Sequence, residues 1–398
     1  MKPFIGFIAQ PYRYLYMALL ANCIVIGIEM TIIGATLPNL LAQFSWSYTA
    51  AGAIIAAGSL GDFISSYSAG ALLDRLGPKA VMVGGLILQG FALAFFATTP
   101  SVASNFILSM LIGLGQGGVD VTINYAVARM QPPGESRPLG IIHSAYAVGS
   151  VVGPAITGLI IQAGLHWQSV FRAVAGVTAL IGIIVLALPF RRIGETLPQP
   201  APDGVAGKLS RQPLFYLSAL ILFLYVGLEF GISRWVGEYF VTILGTNAAI
   251  GAGMVSLFWT AILLGRIIVP GLFRKVAQSA LLIGLALFAS AAVAFSLLVK
   301  SPRLAAIGFF AAGLGCSAVY PLVITIIGQY FRESPGRAIG FAATGGAAGA
   351  LVFPLVMAAV SQSVSLTTGF WVYVSIGFLM SAVATVIAQL VQRRKLMG

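Results

Sequence analysis

The sequence predicts an all-α integral membrane protein with twelve transmembrane helices in two six-helix, pseudo-symmetric bundles. Composition is the first reason, since 59% of the 398 residues are hydrophobic and 8% are charged. A soluble protein carries about 25% charged residues, so this chain could not cover a water-facing surface. The second reason is a series of twelve long apolar runs, and the third is a repeat that relates the two halves.

Each apolar run is long enough for a membrane-spanning helix, which takes about 20 residues. In the first half these spans cover residues 15–42, 49–73, 80–98, 104–127, 139–163 and 170–190. In the second half they cover residues 213–243, 249–273, 278–298, 303–328, 337–361 and 367–390. A polar stretch rich in Pro and Gly separates the halves. We therefore predict bundles at 1–192 and 213–398, joined by a linker at 193–212.

The positions of Lys and Arg predict the orientation of the spans. Of the 22 basic residues, 17 fall in connections on one side and two on the other, while three lie within or at the edges of spans. Basic residues accumulate on the cytoplasmic side of membrane proteins. We therefore predict a multi-pass protein of the inner (plasma) membrane, with both termini and the linker in the cytoplasm. The net charge of +12 then reflects membrane topology, and no nucleic-acid partner is expected.

The two halves repeat at an offset of 200 residues. Gly27-Ile28-Glu29 in span 1 matches Gly227-Leu228-Glu229 in span 7, and Gly113-Leu114-Gly115 in span 4 matches Gly313-Leu314-Gly315 in span 10. One register shared by several spans is unlikely to arise by chance. Parallel repeats of this kind are typical of transporters that bind a substrate between two bundles and rock around it.

The loop after span 2 reads Gly70-Ala71-Leu72-Leu73-Asp74-Arg75-Leu76-Gly77-Pro78-Lys79. It resembles the cytoplasmic loop signature of the major facilitator superfamily, and with twelve spans the resemblance covers essentially the whole chain. The resemblance implies the major facilitator fold and a gating role for Asp74, Arg75 and Lys79, whose charges would lock the halves together. The alternative is that Asp74 and Arg75 cap and anchor span 2.

Two further stretches point to different subgroups of that family. Span 7, with Tyr225 through Glu229 followed by Trp235 and Tyr239, resembles the fucose–galactose–glucose type of proton symporter. Span 4, with Asp120 and Asn124 after a glycine-rich start, resembles the same type. Span 5 contains Gly149-Ser150-Val151-Val152-Gly153-Pro154, which is similar to the antiporter motif of drug–proton exporters. The subgroup therefore stays open between the two.

Acidic residues inside the spans are the candidates for proton coupling, namely Glu29, Asp120 and Glu229. A carboxyl group deep in a bilayer is paired, protonated or in contact with water. Glu29 and Glu229 occupy the same position in the two repeats, so we expect them on opposite walls of one cavity. Asn22 and Thr36 share the helix face of Glu29 and extend the expected polar wall.

Span 4 carries the clearest polar stripe. Gln116, Asp120 and Asn124 recur at i, i+4 and i+8, so they share one face of a helix. This face either binds a hydroxylated substrate, with Asp120 as a proton carrier, or holds neighbouring helices together. His143 in span 5 is a further candidate for the substrate site, although a packing role is as plausible for it.

Aromatic residues in the second half could contact a sugar ring. Tyr225, Trp235 and Tyr239 lie on span 7, where Trp235 and Tyr239 could instead anchor the helix at the membrane interface. Tyr320 occupies the position of Asp120 in the other repeat. Pro321 follows it, and a proline there weakens the helix and leaves a carbonyl free for substrate.

Two arginines lie inside the spans of the second half. Arg234 is a candidate to neutralise Glu229, which would then stay charged and could not carry a proton. Arg266 follows Gly265 on the predicted cytoplasmic half of span 8. We assign Arg266 to gating, as the second repeat's version of the locking charge in the loop after span 2.

The leading functional hypothesis is a secondary active transporter that moves a small polar solute, such as a sugar or sugar-like compound, by proton-coupled alternating access. The alternative is a proton-coupled exporter of drugs or metabolites, and a passive facilitator also stays open. No enzyme activity, cofactor or metal site is expected, because the sequence has no spaced Cys/His cluster and no phosphate-binding loop. The expected partners are a small-molecule substrate, protons (with sodium as an alternative) and the lipid bilayer, and a monomer is expected.

Overall fold

The computed structural model describes residues 8, 12–130, 137–188, 190, 209, 211–332 and 334–397. Nearly all of these residues lie in α-helices, and none of them lies in a β-strand. In a bilayer, a helix satisfies its backbone hydrogen bonds within one segment, which is why apolar runs of this length fold as helices. The predicted fold class, an all-α membrane protein, is confirmed.

Six helices form the first half of the chain. They are α1 Arg13–Phe44, α2 Tyr48–Leu76, α3 Pro78–Phe95, α4 Val102–Met130, α5 Arg137–Gln162 and α6 Ser169–Ala187. The second half contains α7 Pro213–Thr242, α8 Ala248–Leu272, α9 Gln278–Leu298, α10 Pro302–Cys316, α11 Val319–Tyr330, α12 Pro335–Ser363 and α13 Leu366–Met397. Each predicted span corresponds to one of these helices, except that the tenth span is divided into α10 and α11.

Eleven segments among the described residues are long and apolar enough to cross a membrane, with α10 and α11 counted together as Pro302–Tyr330. The remaining segment is α2, which has a comparable length of 29 residues. It is more polar than the others because it carries Asp62 in its interior and Asp74 and Arg75 near its end. The twelve predicted spans are therefore all present as helical segments.

The chain divides into two compact units. Unit 1 comprises Met1–Trp46 and Ala53–Pro198, and unit 2 comprises Ser47–Gly52 and Gln199–Gly398. The short segment Ser47–Gly52, at the start of α2, thus groups with unit 2. Most of the predicted linker at 193–212 lies outside the described residues, so the predicted domain boundaries stay a prediction.

Corresponding helices pack closely in the two units. In unit 1, α1 packs on α5, and Gly149 of α5 lies directly against the backbone carbonyl of Ile24. In unit 2, α7 packs on α12, and Gly349 lies against the backbone carbonyl of Phe223 in the same way. A side chain at either glycine would force the backbones apart, so these glycines set the close approach of the two helices.

The tenth span is interrupted in its middle. α10 ends at Cys316, the turn occupies Ser317 and Ala318, and α11 begins at Val319. Pro321 has no backbone N–H and cannot donate to the carbonyl of Ser317, four residues earlier. The weakening predicted from Pro321 is therefore present as a break, with Tyr320 in the first turn of α11.

Candidate functional site

The most distinctive polar cluster in unit 2 surrounds Glu229, in the middle of α7. The Tyr225 hydroxyl, one turn earlier, donates a hydrogen bond of 2.7 Å to Oε1 of Glu229. Nη2 of Arg266, on α8, lies 3.8 Å from the same oxygen. The Glu229 side chain is 5% exposed and that of Arg266 is 32% exposed. A carboxylate deep in a membrane-spanning segment is thus stabilised by a cation and a hydroxyl.

The structure adds a partner for Arg266 that the sequence did not indicate. Its side chain extends from α8 to Glu229 and forms an ion pair with it, and the gating role assigned to Arg266 stays a prediction. The physical reason for this reach is that helical side chains tilt towards the N-terminus of their helix, and arginine is long enough to reach a further turn. Arg234, the other candidate to neutralise Glu229, lies with Cζ 5.6 Å from the centroid of the Phe230 ring.

The helix break joins this cluster. The Tyr320 ring, at the start of α11, lies 6.3 Å from the Tyr225 ring between centroids. Gly265, the neighbour of Arg266, packs directly against the side chain of Ser317 in the break. α7, α8 and the α10–α11 break therefore converge on one site in unit 2. Interrupted membrane helices of this kind line substrate and ion sites in transporters.

The carboxyl group of Glu29 in unit 1 has a different environment. Nε2 of Gln89, on α3, donates a hydrogen bond to Oε2 of Glu29, and the Thr178 hydroxyl on α6 donates one of 3.2 Å to Oε1. Glu29 is buried, and so are Asn22 and Thr36 on the same helix. This face of α1 is therefore buried in the structure, and the polar cavity wall expected along it stays a prediction.

Sequence reasoning missed both hydrogen-bond donors to Glu29. Gln89 and Thr178 are buried polar residues in otherwise apolar spans. A single polar residue in an apolar span was the sequence feature that could have identified each of them as a hydrogen-bond donor. A polar side chain inside an apolar span needs a partner. The sequence did not indicate which of the neighbouring helices would supply that partner.

The polar stripe on α4 is divided by burial. Asp120 is exposed, Asn124 is half-buried and Gln116 is buried. Nδ2 of Asn124 donates a hydrogen bond of 2.9 Å to the backbone carbonyl of Asp120. His143, on α5, is also exposed and lies within electrostatic reach of Asp120. The structure thus brings Asp120, Asn124 and His143 together in unit 1, while Gln116 faces the interior.

Trp235 and Tyr239 on α7 are both fully buried. The Tyr239 ring packs edge-on against Phe309 and Phe370, with centroid distances of 5.8 and 4.9 Å. The Trp235 ring packs against Tyr48 at 5.6 Å, within unit 2. Aromatic neighbours therefore cover both rings in this structure, and their roles as substrate contacts or as interfacial anchors stay predictions.

The charged loop after α2 has one well-defined contact. Nζ of Lys79 donates hydrogen bonds of 2.6 and 3.3 Å to the backbone carbonyls of Leu186 and Leu188 at the end of α6. A cation at this position is favourable because the last carbonyls of a helix carry partial negative charge. Asp74 and Arg75 are exposed at the end of α2. The structure therefore ties Lys79 to α6 within unit 1, and the gating roles of Asp74, Arg75 and Lys79 stay predictions.

The part of the chain that the structure describes contains no group of three or more His, Cys, Asp or Glu residues placed to hold a metal ion. Cys23 and Cys316 are both free thiols and both buried. Fold and sites together define a multi-pass α-helical membrane protein with buried carboxyl groups in both of its repeats.

A family model described as Major Facilitator Superfamily matches residues 19–299, which is more than half of the chain. The chain therefore belongs to the Major Facilitator Superfamily. This confirms the resemblance seen in the loop from Gly70 to Lys79.

Curated relatives are similar at low identity. The chain is 24% identical to Bypass of stop codon protein 6 of Saccharomyces cerevisiae over 63% of this chain and 55% of the relative. It is 27% identical to a hexuronate transporter of Bacillus subtilis over 51% of this chain and 50% of the relative. It is 22% identical to multidrug resistance protein 2 of the same organism over 56% of each chain. The chain thus spans about half the length of each of these relatives.

Solved structures share the fold. The nucleoside transporter NupG superimposes with a TM-score of 0.79 at 11% identity, covering 94% of this chain and 99% of the other. A D-xylose–proton symporter superimposes with a TM-score of 0.73 at 16% identity, covering 94% and 97%. At such identities the likeness establishes the fold alone.

Proposed function

We propose that the protein is a secondary active transporter, and not an enzyme, that moves a small polar solute by proton-coupled alternating access. The observation that supports this most is the cluster of Glu229, Arg266 and Tyr225 inside unit 2. Charged groups at such depth are costly and mark the paths of substrates, ions or protons. Membership of the Major Facilitator Superfamily agrees with the same class of function.

We assign proton coupling to Glu29, Asp120 and Glu229, and the structure supports the three as proton carriers to different extents. Glu229 is the favoured carrier because Arg266, the cation that keeps it charged, is one-third exposed and so accessible to another counterion, which would allow Glu229 to take up a proton. Asp120 is supported by its exposure beside His143. Glu29 is the least favoured of the three, since both of its oxygens accept hydrogen bonds from uncharged donors and no cation is paired with it among its described contacts. Sodium in place of protons is the alternative that the same carboxylates allow.

The proposed solute is a sugar or sugar-like compound. The resemblance of spans 4 and 7 to fucose–galactose–glucose symporters favours it, as do the relative named as a hexuronate transporter and the structural neighbour named as a D-xylose–proton symporter. Tyr225 and Tyr320 supply ring faces and hydroxyls beside the charged pair. Aromatic faces and a few placed polar groups are typical of sites for small polar ligands.

Uptake into liposomes that contain the purified chain tests the proposal. Labelled hexoses, pentoses, nucleosides and uronates are offered with and without an inward pH gradient, in sodium-containing and sodium-free buffers. We expect uptake of at least one solute to follow the pH gradient and to be independent of sodium. Counterflow that ignores both gradients would instead identify a passive facilitator.

Two variants connect this assay to Glu229. We expect Glu229→Gln to lose gradient-driven uptake while retaining exchange of solute across the membrane. Glu195→Gln is the matched control, because it makes the same chemical change in the predicted linker. Equal uptake by both variants would remove Glu229 from the coupling mechanism.

A proton-coupled exporter of drugs or metabolites is the second candidate. Its support is the antiporter-like stretch from Gly149 to Pro154 and the relative named multidrug resistance protein 2. However, Gly149 packs against α1 in the same way as Gly349 packs against α7, so helix packing also accounts for this glycine. Resistance of an expressing strain to drugs, without any sugar uptake, would favour the exporter.

We further propose an inner (plasma) membrane location with both termini in the cytoplasm. Thiol labelling with a membrane-impermeant reagent tests this, since the native thiols of Cys23 and Cys316 are buried. We expect Lys300→Cys to react in intact cells and Glu195→Cys to react only after permeabilisation. The opposite pattern would invert the topology.

Three smaller proposals accompany this topology. The chain is divided at 1–192, 193–212 and 213–398, which co-expression of the two halves as separate polypeptides tests. It functions as a monomer, which light scattering of the purified protein tests.

Asp74 and Arg75 act as gating charges, and their neutralisation is expected to slow uptake without weakening solute binding.

A further inference from the structure

We propose that the site in unit 2 takes a solute bearing a carboxylate, and that this carboxylate replaces Glu229 as the counterion of Arg266 when Glu229 binds a proton. The inference rests on the proposed function and narrows it to a substrate class. It is carried by Arg266, whose guanidinium is one-third exposed and paired with an acidic residue that can itself be neutralised.

The contact between Arg266 and Glu229 joins one guanidinium nitrogen to one carboxylate oxygen, with Nη2 and Oε1 3.8 Å apart. A guanidinium stays protonated in proteins and binds a carboxylate in a bidentate geometry when the partner is free to align. A solute's carboxylate that is free to align in this way can therefore compete with Glu229 for Arg266.

The charges in the site balance throughout such an exchange. Before binding, the positive charge of Arg266 is matched by the negative charge of Glu229. After binding, Glu229 carries the proton and is neutral, and the solute's carboxylate matches Arg266. One proton and one monovalent carboxylate enter together, so the net charge of the site is zero in both states. This avoids an unpaired charge in the interior, which is strongly unfavourable.

The groups around Glu229 are consistent with a single proton site. α7 itself presents Tyr225, α8 presents Arg266 and α10 presents the Cys316 thiol, while Tyr373 of α13 packs against Gly231, two residues further along α7. From α12, the neighbouring side chain at Gly227 is the uncharged ring of Phe353. Tyr225 can keep its hydrogen bond to Glu229 when the latter is protonated, because a carboxylic acid retains acceptor capacity.

Other solute classes fit this arrangement less well. A neutral sugar would bring no negative charge to Arg266 when Glu229 is protonated. A cationic drug would be repelled by Arg266. A phosphate dianion would bring two negative charges to one cation of this cluster. A small hydroxylated carboxylate, by contrast, would match Arg266 with its charge and Tyr225 and Tyr320 with its hydroxyls.

The experiment compares solutes that share a skeleton and differ in charge. Liposomes containing the full chain are given glucose, glucuronate, gluconate, lactate or inorganic phosphate, under a pH gradient or under a potassium diffusion potential set with valinomycin. We expect the pH gradient to drive uptake of a carboxylate, and the membrane potential to leave its rate unchanged because the coupled step carries no net charge.

The outcomes separate this inference from the proposed function. Uptake of glucose driven by both the pH gradient and the potential, with no carboxylate uptake, would overturn the inference and leave the proposed function intact. Preference for phosphate would also overturn the inference. The absence of any gradient-driven uptake, for these probes and for the wider solute panel, would count against the proposed function itself.

Binding measurements on variants test the roles of the two charges. In the native chain, carboxylate affinity is expected to rise about 10-fold for each unit by which the pH falls towards the titration of Glu229, since one proton binds with the solute. In Glu229→Gln the affinity is expected to stay high and to become independent of pH. A native pH dependence in Glu229→Gln would contradict the inference.

Arg266→Gln is expected to weaken carboxylate binding by about 100-fold, which is the scale for loss of a hydrogen-bonded ionic partner. The double variant Arg266→Gln/Glu229→Gln removes both charges and so avoids leaving one unpaired, which protects the fold. Native-like carboxylate affinity in the double variant would overturn the inference. Lys300→Gln removes a cation from a connection and serves as the control with unchanged binding.

Discussion

Glu29 and Glu229 occupy the same position in the two repeats, yet the structure surrounds them with different chemistry. Glu29 accepts hydrogen bonds from Gln89 and Thr178, which are uncharged. Glu229 accepts one from Tyr225 and is paired with Arg266, which is a permanent cation. A carboxyl group held by neutral donors gains no ionic partner, whereas a paired carboxylate can exchange its partner.

The offset of 200 residues shows how the difference arises. The residue equivalent to Gln89 is Ala289, and the residue equivalent to Arg266 is Ser66. Each unit thus keeps the glutamate and changes the side chain opposite it. The comparison teaches that the repeat preserves the packing of helices while single substitutions on neighbouring helices determine what each carboxyl group can do.

The largest expected difference between the two glutamates concerns transport. We expect Glu229→Gln to lower gradient-driven uptake by about 100-fold or more, because the group that exchanges with Arg266 can no longer titrate. Glu29→Gln should retain most of the uptake, since its partners are neutral donors in the interior of unit 1. Uptake rates in liposomes measure both effects, and equal losses would abolish the distinction.

A second prediction concerns stability in unit 2. Arg266→Met leaves Glu229 without its cation and should lower the free energy of unfolding by about 2–3 kcal/mol, less than a fully buried pair because Arg266 is partly exposed. Denaturant unfolding in detergent measures the change. Adding Glu229→Gln should restore most of the loss, and an absence of rescue would show that the ion pair is not the cause.

The corresponding change in unit 1 should cost less. Gln89→Leu removes one of the two donors to Glu29, and loss of a partner to a buried acceptor costs about 1–3 kcal/mol. In this background, Glu29→Gln should change the stability differently from its effect in the native chain, which a double-mutant cycle measures. Additive effects would mean that the two side chains do not interact.

The smallest expected effect is at Gly265, which packs against Ser317 in the helix break. Gly265→Ala places a methyl group against that side chain, and such overpacking typically costs about 1–3 kcal/mol, with the lower end expected for one methyl. Gly253→Ala, on the same helix, is the control because no neighbour lies within 4 Å of the added atom. Equal stability of the two variants would argue against close packing at the break.

The fold could be predicted from the sequence because membrane insertion depends on local properties. About 20 apolar residues in succession define a span, and each predicted run is present as helix. The break in the tenth span lies beside Pro321, where the missing N–H predicted a local weakening. Trp235 and Tyr239 show the limit, since their aromatic neighbours come from residues distant in the sequence.

The sequence by itself determined the class of protein, the number of spans, the repeat and the positions of the intramembrane carboxyl groups. The tertiary structure decided which of these groups meets a cation, which is enclosed by neutral donors, and that Arg266 reaches Glu229. The physical reason is the distance along the chain over which each interaction acts. Hydropathy and helix formation depend on contiguous residues, whereas ion pairs and hydrogen bonds between spans depend on the rotation and packing of helices that are far apart in the chain.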